Sequence, residues 1–163
     1  MTRRTLPRPY RSILCPVDFS EHSRAALRHA AGIAASGGGR LTVLFVSDAL
    51  LVAAAAAGYD ARVLAEETAG ELRRFVATSL PPVAARGVRI ATAMGTPGAE
   101  IVRLAAKGGA DLIVMGSHGM GRAGRLFFGS VTDYVLRHMP APLLAVPPVK
   151  SGRSSRPRRG KAR

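Results

Sequence analysis

Residues 12–46 read SILCPVDFSEHSRAALRHAAGIAASGGGRLTVLFV. Three segments follow one another here. Ser12–Val17 is a short apolar run and predicts a buried strand. Ser20 is a good N-cap, with Glu21 in the first turn behind it. Ala25, Ala26, Leu27, Ala30, Ile33 and Ala34 then recur at helical spacing, and Gly37-Gly38-Gly39 stops the helix. Residues 41–46, LTVLFV, form a second apolar run and predict a second strand. Strand, helix and strand in that order describe one turn of a parallel crossover.

The same alternation continues along the chain. Residues 47–59 form an alanine-rich connection, read as loop passing into helix. It is either a lid or plain helix. Residues 60–77 predict a helix with Leu64, Leu72, Phe75 and Val76 on its apolar side, ended at the latest by Pro81-Pro82. Residues 88–93 predict a third strand. Pro97 sits in the first turn of a helix continued by residues 99–106 and closed by Gly108-Gly109. Residues 111–115, DLIVM, predict a fourth strand and residues 130–137 a short helix. Pro140 and Pro142 flank the turn into Leu143–Val146, a fifth strand. The expected architecture is a single α/β domain: an open parallel sheet with helices on both faces. Ligands of such sheets bind beyond the carboxyl ends of the strands, at the topological switch point. The residues to examine are Asp18, Ser47, Asp48, Gly95, Thr96 and Gly116 onward.

At 163 residues the chain suits one domain, and it holds one cysteine, Cys15. That excludes a disulfide scaffold and a zinc site built of cysteines alone. Cys15 lies within a predicted buried strand and is expected to pack. The net charge of +14 suggests a nucleic-acid binder until its location is examined. Residues 1–11 hold four arginines and residues 150–163 seven basic residues, with no acid in either segment. The central block has thirteen basic residues against ten acids. Residues 1–10 are therefore expected to be a basic, disordered arm, 11–148 the domain, and 149–163 a basic, disordered tail. The tail is either solubilising or a weak, salt-sensitive anchor for nucleic acid. No run reaches the ~18 to 20 apolar residues of a membrane span, and no signal-peptide core follows the basic start. A cytoplasmic protein is expected.

Residues 116–132 read GSHGMGRAGRLFFGSVT, with glycines at 116, 119, 121, 124 and 129. Such density straight after a buried strand lets backbone approach a ligand closely or adopt positive φ. A phosphate chain is the usual partner: loop amides cradle it and a helix N-terminus adds partial positive charge. Gly129-Ser130 is placed to open the last helix, and Arg122 and Arg125 add charge. The alternative is a surface loop with glycines at its turns. The pattern GxxxxGK[ST] is absent. Gly119-Met-Gly121-Arg-Ala-Gly124 matches GxGxxG literally, but it follows the fourth strand and lacks the acid ~20 residues on, which excludes a dinucleotide-binding dehydrogenase.

Gly116-x-x-Gly119, nine residues, then Gly129-Ser130 is the G-2x-G-9x-G-(S/T) pattern of the ATP-binding branch of the universal stress protein family, which this chain resembles. ILCPVDFSEHSRAALRHA, LTVLFV, GTPGAEIVRLA, DLIVMGSHG and GSVTDYVLRHMPAPLLAVP fall in the same order, so the resemblance covers about residues 10–148. Met120 departs from it, standing where many relatives carry arginine, and both basic tails lie outside the pattern. The resemblance implies a Rossmann-like, adenine nucleotide alpha hydrolase-like sheet of strand order 3-2-1-4-5, and a homodimer paired through the last strand. It implies ATP, with Mg²⁺ accompanying the triphosphate, at the carboxyl ends of strands one and four. Pro16, Val17 and Asp18 would line the adenosine end, and Val46 would offer backbone groups to the base. Gly116, His118, Gly119, Gly129, Ser130 and Val131 would hold ribose and phosphates, and Met115 completes the cofactor-binding set.

Asp18 is either a ligand group or a helix-capping acid. His22, His29 and His138 fall on predicted helices and are expected at the surface. At least one of Phe127 and Phe128 is expected in the core. No nucleophile has a histidine base placed beside it by sequence. The expected function is an ATP-binding stress-response or signalling module without robust catalysis. A slow ATPase or nucleotidyl-transfer enzyme is the alternative from another class, and a nucleic-acid-associated protein anchored by its tails is a third.

Overall fold

The computed structural model describes residues 10–48, 61–117 and 128–147. Among them the order is β1 (Ser12–Val17), α1 (Glu21–Gly37), β2 (Arg40–Ser47), α2 (Ala61–Ser79), α3 (Pro82–Arg86), β3 (Val88–Met94), α4 (Pro97–Lys107), β4 (Leu112–Gly116), α5 (Ser130–His138) and β5 (Leu143–Val146). The strands form one five-stranded sheet in the order β3-β2-β1-β4-β5, and every pairing is parallel. The expected fold class and strand order are both present. The basic arm, the basic tail and the alanine-rich segment 49–58 lie wholly or almost wholly outside the described residues.

Side-chain alternation divides the core by strand parity. Ile13, Cys15 and Val17 of β1, Leu41 and Val43 of β2, and Leu112 and Val114 of β4 pack with α1 and α2 on one face. Leu14, Leu44, Ile113 and Met115 pack on the other with Ile101 and Ala105 of α4 and Val135 of α5. The apolar strand runs are unbroken because both parities are covered.

Local chemistry sets the boundaries. Ser20 caps α1, its hydroxyl accepting from the Ser23 amide at 3.1 Å. Gly38 ends that helix in the left-handed region, φ 64°, donating its N–H to Ala34 O. One element departs from expectation. The Pro81-Pro82 pair, read as a stop, also starts the five-residue α3, because a proline at the first helical position lacks only an N–H that would have no intrahelical acceptor. The amino edge of the sheet is closed by Asp111, whose carboxylate accepts from the Arg11 and Ser12 amides at 2.8 and 2.9 Å. That bond ties the start of β1 to the start of β4.

Candidate functional site

The connections reverse side between β1 and β4. From β1 the chain winds outward through β2 to β3; α4 then carries it back across the opposite face to β4. The switch point of a doubly wound sheet is the usual place for a ligand. A cavity of about 500 Å³ opens there.

The cavity's walls come from six elements, among them α1, which contributes the buried Ser23. The end of β1 contributes Pro16 and Val17, with Asp18 just beyond; β2 contributes Leu44, Phe45 and Val46. Met115 and Gly116 close β4. On the helical side stand Pro97 and Ile101 of α4, and Ser130, Val131 and Thr132 of α5, preceded by Phe128 and Gly129. The structure thus brings Pro16, Val17, Asp18, Val46, Met115, Gly116, Gly129, Ser130 and Val131 together around one space. His118 and Gly119 lie outside the described residues, as do Arg122 and Arg125.

Asp18 follows β1 in a tightly bonded turn. Its Oδ1 accepts from the Ser20 amide at 3.1 Å and from the Ser20 hydroxyl at 2.5 Å. Its own amide donates to Ser23 Oγ at 3.3 Å. The acid is therefore part of the α1 capping network and part of the cavity wall at once. Between Asp18 and Ser20, Phe19 adopts φ 63°. A side chain in the left-handed region costs roughly 1–2 kcal/mol, and here the ring is held by stacking on Phe45 at 4.5 Å and edge contact with Phe75 at 5.4 Å. Phe45 lines the cavity, so the strained turn is braced by the wall itself.

The β2 ladder passes the end of β1. Val17 pairs with Phe45, while Val46 and Ser47 pair only with Ala93 and Met94 of β3. Val46 is therefore the first β2 residue past the last β1 pairing, at the cavity wall. On the opposite wall, α5 opens with Gly129 at the N-cap and no side-chain cap. Its first intrahelical bond runs from the Asp133 amide to Gly129 O at 2.8 Å, so the amides of Ser130, Val131 and Thr132 precede the helical ladder. Thr132 Oγ1 donates to Gly116 O at 3.0 Å and Gly129 N–H to Ser117 O at 3.0 Å, which pins this helix start against the end of β4.

Acids lie near both helix starts, and each is matched. Glu100 of α4 pairs with Arg103 at 2.6 Å and Asp133 of α5 with Arg137 at 3.0 Å. The hydrogen bond from Arg103 holds the Glu100 carboxyl below its ordinary range, and that to Asp133 raises the Arg137 guanidinium. Their charge is offset locally, which leaves the helix termini electrostatically suited to an anion. Among the described residues Asp18 is the one carboxylate on the cavity wall, and no group of three or more His, Cys, Asp or Glu is placed to hold a metal. Cys15 is fully buried, and burial raises its thiol pKa, which fits packing and not reactivity. His29 and His138 are exposed and His22 half-buried. Phe128 is 48% exposed and is a wall residue, not core; Phe127 lies outside the described residues.

Sequence reasoning missed Ser23, Leu44, Phe45, Pro97, Ile101, Phe128 and Thr132 as wall residues. Strand parity could have found Leu44, since it shares a face with Pro16, Val46 and Met115. Pro97 and Ile101 carry no local signal beyond opening the helix after β3.

A parallel doubly wound sheet with a partly apolar cavity at its switch point, faced by a helix start without a side-chain cap, defines an α/β domain of the Rossmann-like class. The chain matches the model of the Universal stress protein family over residues 9–147. It is 32% identical over 139 residues to Universal stress protein MJ0531 of Methanocaldococcus jannaschii, covering 84% of this chain and 82% of that one. It is 28% identical over 153 residues to Universal stress protein MJ0577 of the same organism, covering 84% and 94%. The solved structure of MJ0577 superposes with a TM-score of 0.71, covering 88% of this chain and 99% of that one. A universal stress protein solved in complex with cAMP shares the fold at 24% identity and TM-score 0.58, over 85% and 97% of the two chains. The chain belongs to the universal stress protein family.

Proposed function

We propose that this chain is an ATP-binding universal stress protein, a nucleotide-dependent stress-response or signalling module of the cytoplasm without robust catalysis. The observation that carries this reading is the α5 start. Gly129-Ser130, the end of the G-2x-G-9x-G-S pattern, opens an uncapped helix onto the cavity beside Gly116. A phosphate chain is the ligand that such amides and such a dipole favour. The apolar wall of Val17, Leu44 and Val46 suits a purine, and the backbone of Val46, just past the last β1 pairing, would offer groups to its polar rim. A cavity of about 500 Å³ lies within the range that small-molecule sites occupy. Asp18 supports Mg²⁺ in the usual manner of this ion, held by one carboxylate and the ligand's phosphates. The neighbour solved with cAMP illustrates that an adenine nucleotide fits this fold.

Calorimetric titration of nucleotide-stripped protein with ATP and Mg²⁺, and with AMP and GTP as comparators, tests the reading. Saturable binding with ATP preferred supports it; heat of dilution alone for all three overturns it. The reading includes a homodimer joined along β5, a four-residue edge strand on which Leu144 is 37% exposed. Light scattering should report a dimer for the native chain and a monomer for Leu144→Glu. It also includes weak polyanion binding through the basic tail. Deleting residues 150–163 should flatten the salt dependence of DNA or RNA binding, and equal slopes would remove that role.

A further inference from the structure

The two helices that face the strands across the cavity touch each other one residue behind it. Pro97 and Ile101 of α4 form one part of the wall, and Ser130, Val131 and Thr132 of α5 another. Gly98 is buried, and a β-carbon placed on it would lie 2.7 Å from Cδ1, 2.9 Å from Cγ and 3.0 Å from Cβ of Tyr134. Real side chains do not approach so closely. The two closest contacts are ring atoms, and the Cβ contact at 3.0 Å asks for a shift of only a few tenths of an ångström, so the obstruction is chiefly the ring. The ring also stacks on His138, 4.3 Å between centroids. One added methyl group must therefore either break the ring's stacking on His138 or push α5 away from α4. Neither Gly98 nor Tyr134 lines the cavity.

We propose, resting on the nucleotide-binding reading above, that Gly98 and Tyr134 are a positioning pair. Their contact sets the distance between the starts of α4 and α5, and so the affinity of the site for the phosphate end of its ligand. The Ser130–Thr132 amides move with α5. Val17 and Val46 stand on strands and do not. The pair thus governs how strongly a nucleoside polyphosphate is preferred over the bare nucleoside, without touching either.

The test is a set of four variants titrated with ATP plus Mg²⁺ and with adenosine, each melted in parallel without ligand. Gly98→Ala is expected to lose ATP affinity by about tenfold, the scale of one overpacked methyl group, while adenosine affinity stays within about twofold. Adding Tyr134→Ala should restore ATP binding to within about twofold of Tyr134→Ala alone, since the obstructing ring is gone. Adding Tyr134→Phe should not, because the clashing atoms remain. Tyr134→Ala alone removes the spacing contact and should lose ATP affinity by a few-fold, with adenosine affinity unchanged. Unchanged ATP affinity in Gly98→Ala, an equal loss of ATP and adenosine, or rescue by phenylalanine as good as by alanine would each overturn the proposal. If Gly98→Ala does not fold, the doubly substituted chains carry the comparison alone. If the native chain binds neither ligand, the nucleotide reading fails. The contact is then judged by melting: recovery of a lowered Tm by Tyr134→Ala supports the spacing claim, and additive losses remove it.

Discussion

The two faces of the sheet are built to different ends. On the first, α1 and α2 lie directly on Ile13, Cys15, Val17, Leu41 and Val43, with Leu27 and Leu72 fully buried between them. On the second, α4 and α5 cover Leu14, Leu44, Ile113 and Met115 with a smaller core, and their starts stand off from the carboxyl ends of the strands. The space left there is the cavity. One face spends its apolar residues on cohesion. The other leaves part of its apolar wall for a ligand to cover, and the strain carried by Phe19 sits at the end of β1 where the two meet.

Substitutions on the first face should therefore change stability and leave binding alone. Leu72→Ala removes a fully buried side chain and should cost about 2–5 kcal/mol in urea unfolding. ATP affinity of the folded fraction should not change. A fall in affinity there would mean that the faces are mechanically coupled.

The pH dependence should carry the same signature. Burial holds the Cys15 thiol neutral, raising it above the ordinary thiol pKa of about 8.5. Above that value the unfolded chain loses this proton while the folded chain keeps it, so stability falls as pH rises. The slope is up to about 1.4 kcal/mol per pH unit for one group. Cys15→Ala should remove that component of the alkaline slope, measured from about pH 9 upward. An identical slope in the variant would mean that the thiol is not sequestered in the folded state.

The boundary between the faces should respond in both ways, but weakly. Ser20→Ala deletes the α1 N-cap and one donor to Asp18 Oδ1. It should cost about 1 kcal/mol and weaken ATP binding by a few-fold. A loss of stability with no loss of affinity would confine Asp18 to capping.

Much of this division was legible in the sequence, for physical reasons. Buried parallel strands are short apolar runs, and β1 to β5 stand within a residue or so of their expected positions because glycine and proline bound them. The doubly covered sheet followed from alternation alone, whereas its strand order came from the family resemblance. The site was legible where chain order marks it: Asp18 after β1, Gly116 after β4, and Gly129-Ser130 before α5. It was not legible in Leu44, Pro97, Ile101 and Thr132. Their residue types are those of ordinary core, and only the stand-off of α4 and α5 turns them into wall. The short α3 was missed because a proline pair both ends one helix and starts the next.

The central claim is that the α5 start receives a phosphate group, and Gly129→Val tests it most directly. A branched side chain at the N-cap would stand where the ligand must approach the Ser130 and Val131 amides, with no part in either core. Calorimetric titration of ATP and Mg²⁺ into the native chain and this variant, with the unfolding midpoint measured alongside, gives the answer. The account predicts saturable binding by the native chain, at least about a tenfold loss in the variant, and nearly equal midpoints. Equal affinity in the two folded chains would contradict it.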